Sequence, residues 1–101
     1  MNTNSKPSPT SVVRQLSLLM PLAEAIRAQL TGKEFAGFRR TEQGMPYIEA
    51  RTEQGHRVLA YIEDGLYTLE TEGDKVACDP FAVCEAIRGS ISRILDSARN
   101  R

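Results

Sequence analysis

Arginine, tyrosine and glutamate alternate through the middle of this chain, at Arg39, Tyr47, Glu49, Arg51, Arg57, Tyr61 and Tyr67. Aromatic faces stack, and guanidinium groups grip carboxylates or phosphates in a planar fork, so this set is suited to recognition more than to bond-breaking. The groups that would support covalent chemistry are sparse. His56 is the only histidine, and every Ser–His or Cys–His partnership would have to converge on it. It falls at the end of a hairpin loop, with no carboxylate at strand spacing to orient its ring. Cys78 ends a strand and Cys84 lies on the apolar stripe of a helix, so both are expected to pack in or near the core. They stand without a second cysteine pair or a nearby histidine, which suggests neither a zinc site nor a disulfide framework. Glu42, Glu53, Glu63, Asp64, Glu72 and Asp74 all fall in loops, where carboxylates are solvated. Glu49 is the exception, placed mid-strand and expected to pair with an arginine across the sheet. No phosphate loop, dinucleotide fingerprint or calcium loop occurs. The expectation is a non-enzymatic protein with no catalytic residues, no metal site and no cofactor.

Length and charge narrow the class further. The chain has 101 residues, 41% of them hydrophobic, with 13 Lys and Arg balanced by 13 Asp and Glu. A domain of this size buries enough surface to fold without a disulfide or metal. Zero net charge argues against a polyanion binder acting through a general basic field. The longest apolar stretch, Leu16 to Ala23, is broken by Ser17 and Pro21 and is less than half a membrane span. Residues 1–9 are polar and Pro-containing, unlike a signal peptide, and read as a disordered leader. The expected location is the cytoplasm, with no membrane association.

Two amphipathic helices must flank the recognition residues. Val12, Leu16, Leu19, Ala23, Ile26 and Leu30 form one stripe at helical spacing. Its start is expected at Thr10 or Ser11 and its end at Thr31-Gly32, with a kink at Pro21. Asp79-Pro80 reads as the cap and first residue of a second helix, whose stripe is Phe81, Cys84, Ile87, Ile91, Ile94 or Leu95, and Ala98. That helix is expected to fray into residues 99–101. Between the helices, glycine recurs at 44, 55, 65 and 73 among β-branched and aromatic residues, the pattern of a strand meander.

Arg40-Thr41-Glu42-Gln43-Gly44 returns eleven residues later as Arg51-Thr52-Glu53-Gln54-Gly55, and Glu63-Asp64-Gly65 follows the same plan. A three-residue hairpin loop wants glycine at its third, left-handed position. Three such loops would pair Thr41 with Met45, Thr52 with His56, and Ile62 with Leu66. One sheet face then holds Ala36, Phe38, Ile48, Ala50, Val58, Ala60, Ile62 and Leu66. The other holds Phe35, Gly37, Arg39, Tyr47, Glu49, Arg51, Arg57, Leu59, Tyr61, Tyr67 and Leu69. The predicted fold is α+β: an N-terminal helix, an antiparallel four- or five-stranded β-meander and a C-terminal helix. They form a two-layer sandwich over residues 10–98, both helices packing on the small aliphatic face.

The second face then has Tyr and Leu ringed by Arg and Glu, an odd composition for a surface that only meets water. Tyr47, Leu59, Tyr61, Tyr67, Arg39, Arg51, Arg57 and Glu49 are the expected binding residues. The expected role is protein binding, as an adaptor, inhibitor or chaperone-like factor, with a protein partner or with a second copy in a homodimer. RNA binding through the same Tyr and Arg face is the alternative. The helix, strands, helix order and Gly44-Met45-Pro46-Tyr47 resemble the double-stranded RNA-binding domain. That family's lysine cluster at the start of its last helix is here Asp79-Pro80-Phe81-Ala82-Val83-Cys84-Glu85, and at least one strand is extra. Residues 34–78 carry five basic residues against nine acidic ones, a net of −4 that disfavours a phosphate backbone.

Overall fold

A computed structural model describes residues 8–101; the first seven residues of the expected leader lie outside them. Helix α1 spans Pro9–Arg27. Its N-cap is Ser8, whose Oγ accepts the Ser11 N–H at 3.1 Å, with Pro9 in the first turn. The start therefore falls earlier than Thr10 or Ser11, because Ser followed by Pro satisfies a free donor and presets the first helical φ. The helix continues through Pro21, which leaves the Ser17 carbonyl without its usual donor.

Five strands follow in a meander, β1 (Phe35–Arg40), β2 (Pro46–Arg51), β3 (Arg57–Glu63), β4 (Leu66–Thr71) and β5 (Asp74–Cys78), arranged in chain order as one antiparallel sheet. The first two hairpin loops are built alike. Thr41 N–H donates to the Met45 carbonyl and Gly44 N–H to the Thr41 carbonyl, and Thr41 Oγ1 accepts the Met45 N–H. Thr52, Gly55 and His56 repeat all three bonds. The sequence repeat is thus a repeat of turn chemistry, and the expected registers of β1 with β2 and of β2 with β3 hold.

The third hairpin differs. Asp64 and Gly65 both have positive φ, 53° and 77°, and Glu63 pairs with Leu66. This is a two-residue loop, and the expected Ile62–Leu66 pairing is off by one. Ile62 pairs with Tyr67 and Ala60 with Leu69, so Tyr67 and Leu69 stand on the helix-covered face and Leu66 on the other. Ile62 has no hydroxyl to accept the amide that closes a three-residue loop, whereas Asp-Gly suits a turn with two left-handed residues.

Helix α2 spans Cys84–Arg99. Asp79 does not cap it: Asp79 Oδ1 takes the Phe81 N–H at 2.8 Å and the Asp79 carbonyl takes the Ala82 N–H, closing a separate turn. Phe81, expected on the helix stripe, is 87% exposed, and Cys84 is exposed as well. The C-terminal turn is anchored where fraying was expected. Arg99 grips the buried Glu34 carboxylate with Nε at 2.9 Å and a terminal nitrogen at 2.7 Å, and donates to the Gln29 carbonyl.

Both helices lie on one side of the sheet, α1 over β1 to β3 and α2 over β3 to β5. Leu19, Leu22 and Ile26 of α1 meet Ile91, Ile94 and Leu95 of α2 above Ile48, Val58, Ala60 and Leu69. Tyr67 belongs to this core, its hydroxyl donating to the Leu18 carbonyl in the turn before Pro21. Among the described residues no helix is long and apolar enough to cross a membrane.

Candidate functional site

With both helices on one side, the opposite sheet face has no layer over it among the described residues. Strand alternation places Arg39 on β1, Tyr47, Glu49 and Arg51 on β2, and Arg57, Leu59 and Tyr61 on β3 of that face. Seven of the eight expected binding residues are brought together there. Tyr67 is the exception, carried to the core by the two-residue turn before it.

Glu49 is the electrostatic centre of the face. Only 5% exposed, it stands between Gly37 on β1 and Leu59 on β3. Gly37 adds no side chain beside it. Arg51 Nε donates to Oε2 at 2.8 Å, and Arg39 Nε approaches Oε1 at 3.5 Å. The Arg51 hydrogen bond holds the Glu49 carboxyl below the usual carboxylate range against the opposing effect of burial, with Arg39 and Arg57 pulling the same way. One carboxylate thus faces three guanidinium groups. Arg51 and Arg57 sit directly opposite each other across β2 and β3, so the centre of the face carries net positive charge.

Beside this cluster runs an aromatic row. Tyr47 and Tyr61 lie one step beyond the last β2–β3 pair, Ile48↔Ala60, and border one cleft, with Leu59 beside Tyr61 on the same face. Burial pushes the Tyr61 phenol up, and the neighbouring Glu70 carboxylate pushes it the same way. Glu63 binds Lys75 at 3.4 Å on the β4–β5 side. The face is therefore basic around Glu49 on β1 to β3, aromatic at the Tyr47 and Tyr61 end, and mixed in charge toward β5.

At one end this surface deepens into a cleft of about 590 Å³, lined by Met45, Pro46, Tyr47, Leu59, Tyr61 and Gln15 among others. Pro46 has no N–H to give to β3, and the pairing of β2 with β3 reaches no further than Ile48↔Ala60. The ladder ends where it loses this donor, and Tyr47 and Tyr61 border the cleft beyond its last pair. Gly44-Met45-Pro46 signals this position in the sequence, since proline at a strand's first residue ends a ladder on one side.

The remaining candidates lie elsewhere. His56 is half-buried after its loop, its backbone N–H held by Thr52 Oγ1. Cys78 is partly buried against the core, and burial pushes its thiol up, the opposite of nucleophile activation. Among the described residues no three His, Cys, Asp or Glu side chains gather in a way that would hold a metal ion. One surface went unforeseen. An apolar groove of about 410 Å³ runs between the helices, bordered by Leu18, Pro21, Ala25, Ile87 and the exposed Phe81. Its sequence signal was hidden because Asp79-Pro80 reads as a helix start, which assigns Phe81 to the core.

The chain matches no protein-family model, no curated protein and no solved structure.

Proposed function

We propose that this chain is a small non-enzymatic protein-interaction module that binds a protein partner through its open sheet face. The observation carrying this reading is the placement of both helices on one side of the sheet, with Tyr47, Leu59 and Tyr61 half-exposed on the other around a buried Glu49. Tyr and Arg are the side chains that most often anchor interfaces, and a buried carboxylate that orients two arginines presents their remaining donors in fixed directions. Tyr47, Leu59 and Tyr61 would form the anchor, while Arg39, Arg51 and Arg57 would set orientation and favour an acidic surface. An adaptor, inhibitor or chaperone-like role fits such a module. The free thiols of Cys78 and Cys84 agree with a reducing compartment such as the cytoplasm.

RNA is the competing ligand for the same Tyr and Arg set. Residues 34–78 carry nine acidic residues against five basic ones, and this balance favours a compact partner over an extended phosphate chain. The deciding experiment uses wild-type, Tyr61→Ala and Arg51→Ala proteins as baits in an extract of the source cell, with and without ribonuclease. A discrete protein retained after ribonuclease, weakened by about 2 kcal/mol in Tyr61→Ala, supports the reading. Retention that disappears with ribonuclease overturns it.

A further inference from the structure

The two edges of the sheet are finished differently. The Thr41 N–H to Met45 O bond sets the phase of the β1–β2 ladder, so Arg39, Gly37 and Phe35 direct their backbone groups inward to β2. Ala36, Phe38 and Arg40 therefore present theirs outward, along the edge. Arg27 Nε lies 3.4 Å from the Ala36 carbonyl, and among the described residues this is the one hydrogen bond that reaches the outward groups. Thr71 pairs with Asp74 across a two-residue turn, Glu72-Gly73, which places Lys75 outward on β5, and there the Lys75 N–H is taken by Asp74 Oδ1 at 2.9 Å, with Pro80 soon after the strand. One outward group is bonded on each edge; the β5 edge is further blunted by the charge of Lys75 and by Pro80, whereas the β1 edge presents two aromatic side chains. Phe35 and Phe38, 56% and 38% exposed, project from opposite faces of that same strand.

We infer that β1 pairs antiparallel with β1 of a second copy of this chain, about a twofold axis at Gly37. The strand is complementary to itself in this register. Ala36 meets the partner's Phe38, a small residue against a large one, and Phe35 meets the partner's Arg39, an aromatic face against a guanidinium group. No like charges stand opposite each other, and the two glycines at the axis leave room, since nothing lies within 4 Å of where a Gly37 side chain would begin. Exposed apolar edges are ready templates for strand pairing, and a twofold uses the same edge on both copies. The product is a ten-stranded sheet whose two open faces run into each other through Phe35 and Arg39. This inference is independent of what the open face binds.

The test is sedimentation equilibrium of the full chain across a concentration series, with Phe38→Pro, Phe38→Lys and Tyr61→Ala beside wild type. Phe38→Pro removes an outward N–H and no bond to β2, and Phe38→Lys sets a charge opposite the partner's Ala36 in place of the aromatic contact and diagonal to the like charge of the partner's own residue 38. The expected wild-type mass is twice the 11.2 kDa of the chain. Both Phe38 variants should weaken the dimer at least about tenfold, with unchanged far-ultraviolet circular dichroism. Should Phe38→Pro fail to fold, Phe38→Lys decides. A monomeric wild type, or a dimer that survives Phe38→Lys, overturns the inference. A dimer lost in Tyr61→Ala but kept in Phe38→Lys assigns the interface to the open face instead. Loss of protein-partner binding in Tyr61→Ala with an intact dimer leaves the edge pairing standing.

Discussion

Glu34 and Arg99 join the segment after α1 to the last turn of α2, and their pairing gives the fold a pH-sensitive tie. The Arg99 hydrogen bonds, with help from the Thr31 amide, lower the Glu34 pKa to about 2 from 4.5. A carboxylate whose folded pKa is lowered stabilises the fold fully above its unfolded value, and that stability is lost as the pH falls through about 2. Glu34→Gln should therefore cost about 2 kcal/mol at neutral pH, read from denaturant midpoints. The gap from wild type should close toward pH 2; a gap independent of pH would show that the pair acts only through packing. Tyr67 makes a second tie. Its hydroxyl holds the Leu18 carbonyl one turn before Pro21, so Tyr67→Phe should cost about 1 kcal/mol and Tyr67→Ala about 3 kcal/mol or more. Neither change should alter partner binding except through stability, in contrast to Tyr61→Ala.

The hairpins show how one sequence pattern performs in two settings. Thr41 and Thr52 accept the same kind of amide bond from the residue after their loop, yet Thr41 is exposed and Thr52 is buried. Replacing each by Val should cost more at Thr52, by about 1 kcal/mol, because a buried donor left unpaired has no water to turn to. Equal costs in thermal unfolding would show that burial does not matter there. These elements also mark what could be read beforehand. The Arg-Thr-Glu-Gln-Gly repeat specified two loops down to their register, since threonine and glycine each have a defined task. The third loop departs from the three-residue expectation because glycine with positive φ fits a three-residue and a two-residue loop alike. Two signals would have separated them, the Asp-Gly pair and the alternation of β4: the three-residue register turns Thr68 and Glu70 toward the core and Tyr67 and Leu69 toward solvent. Asp79-Pro80 misled for a similar reason, as the same pair opens an isolated turn or a helix, and only the packing of α2 decides where the helix begins.

At the scale of the whole molecule, one arrangement governs the account: two helices on one side of a five-stranded sheet, and an ordered Arg, Glu and Tyr surface on the other. The composition of that surface was legible from strand alternation once the first two loops were placed. Its cleft at Pro46 was not, because it depends on where the β2–β3 ladder ends. The most direct test installs a photoreactive phenylalanine analogue at Tyr61, and in a second protein at Glu24 on the exposed outside of α1, followed by irradiation in the source cell. A discrete protein adduct, resistant to ribonuclease, is expected from position 61, and none from position 24. Adducts of equal yield from both positions, or an adduct at 61 made of nucleic acid, would contradict that expectation.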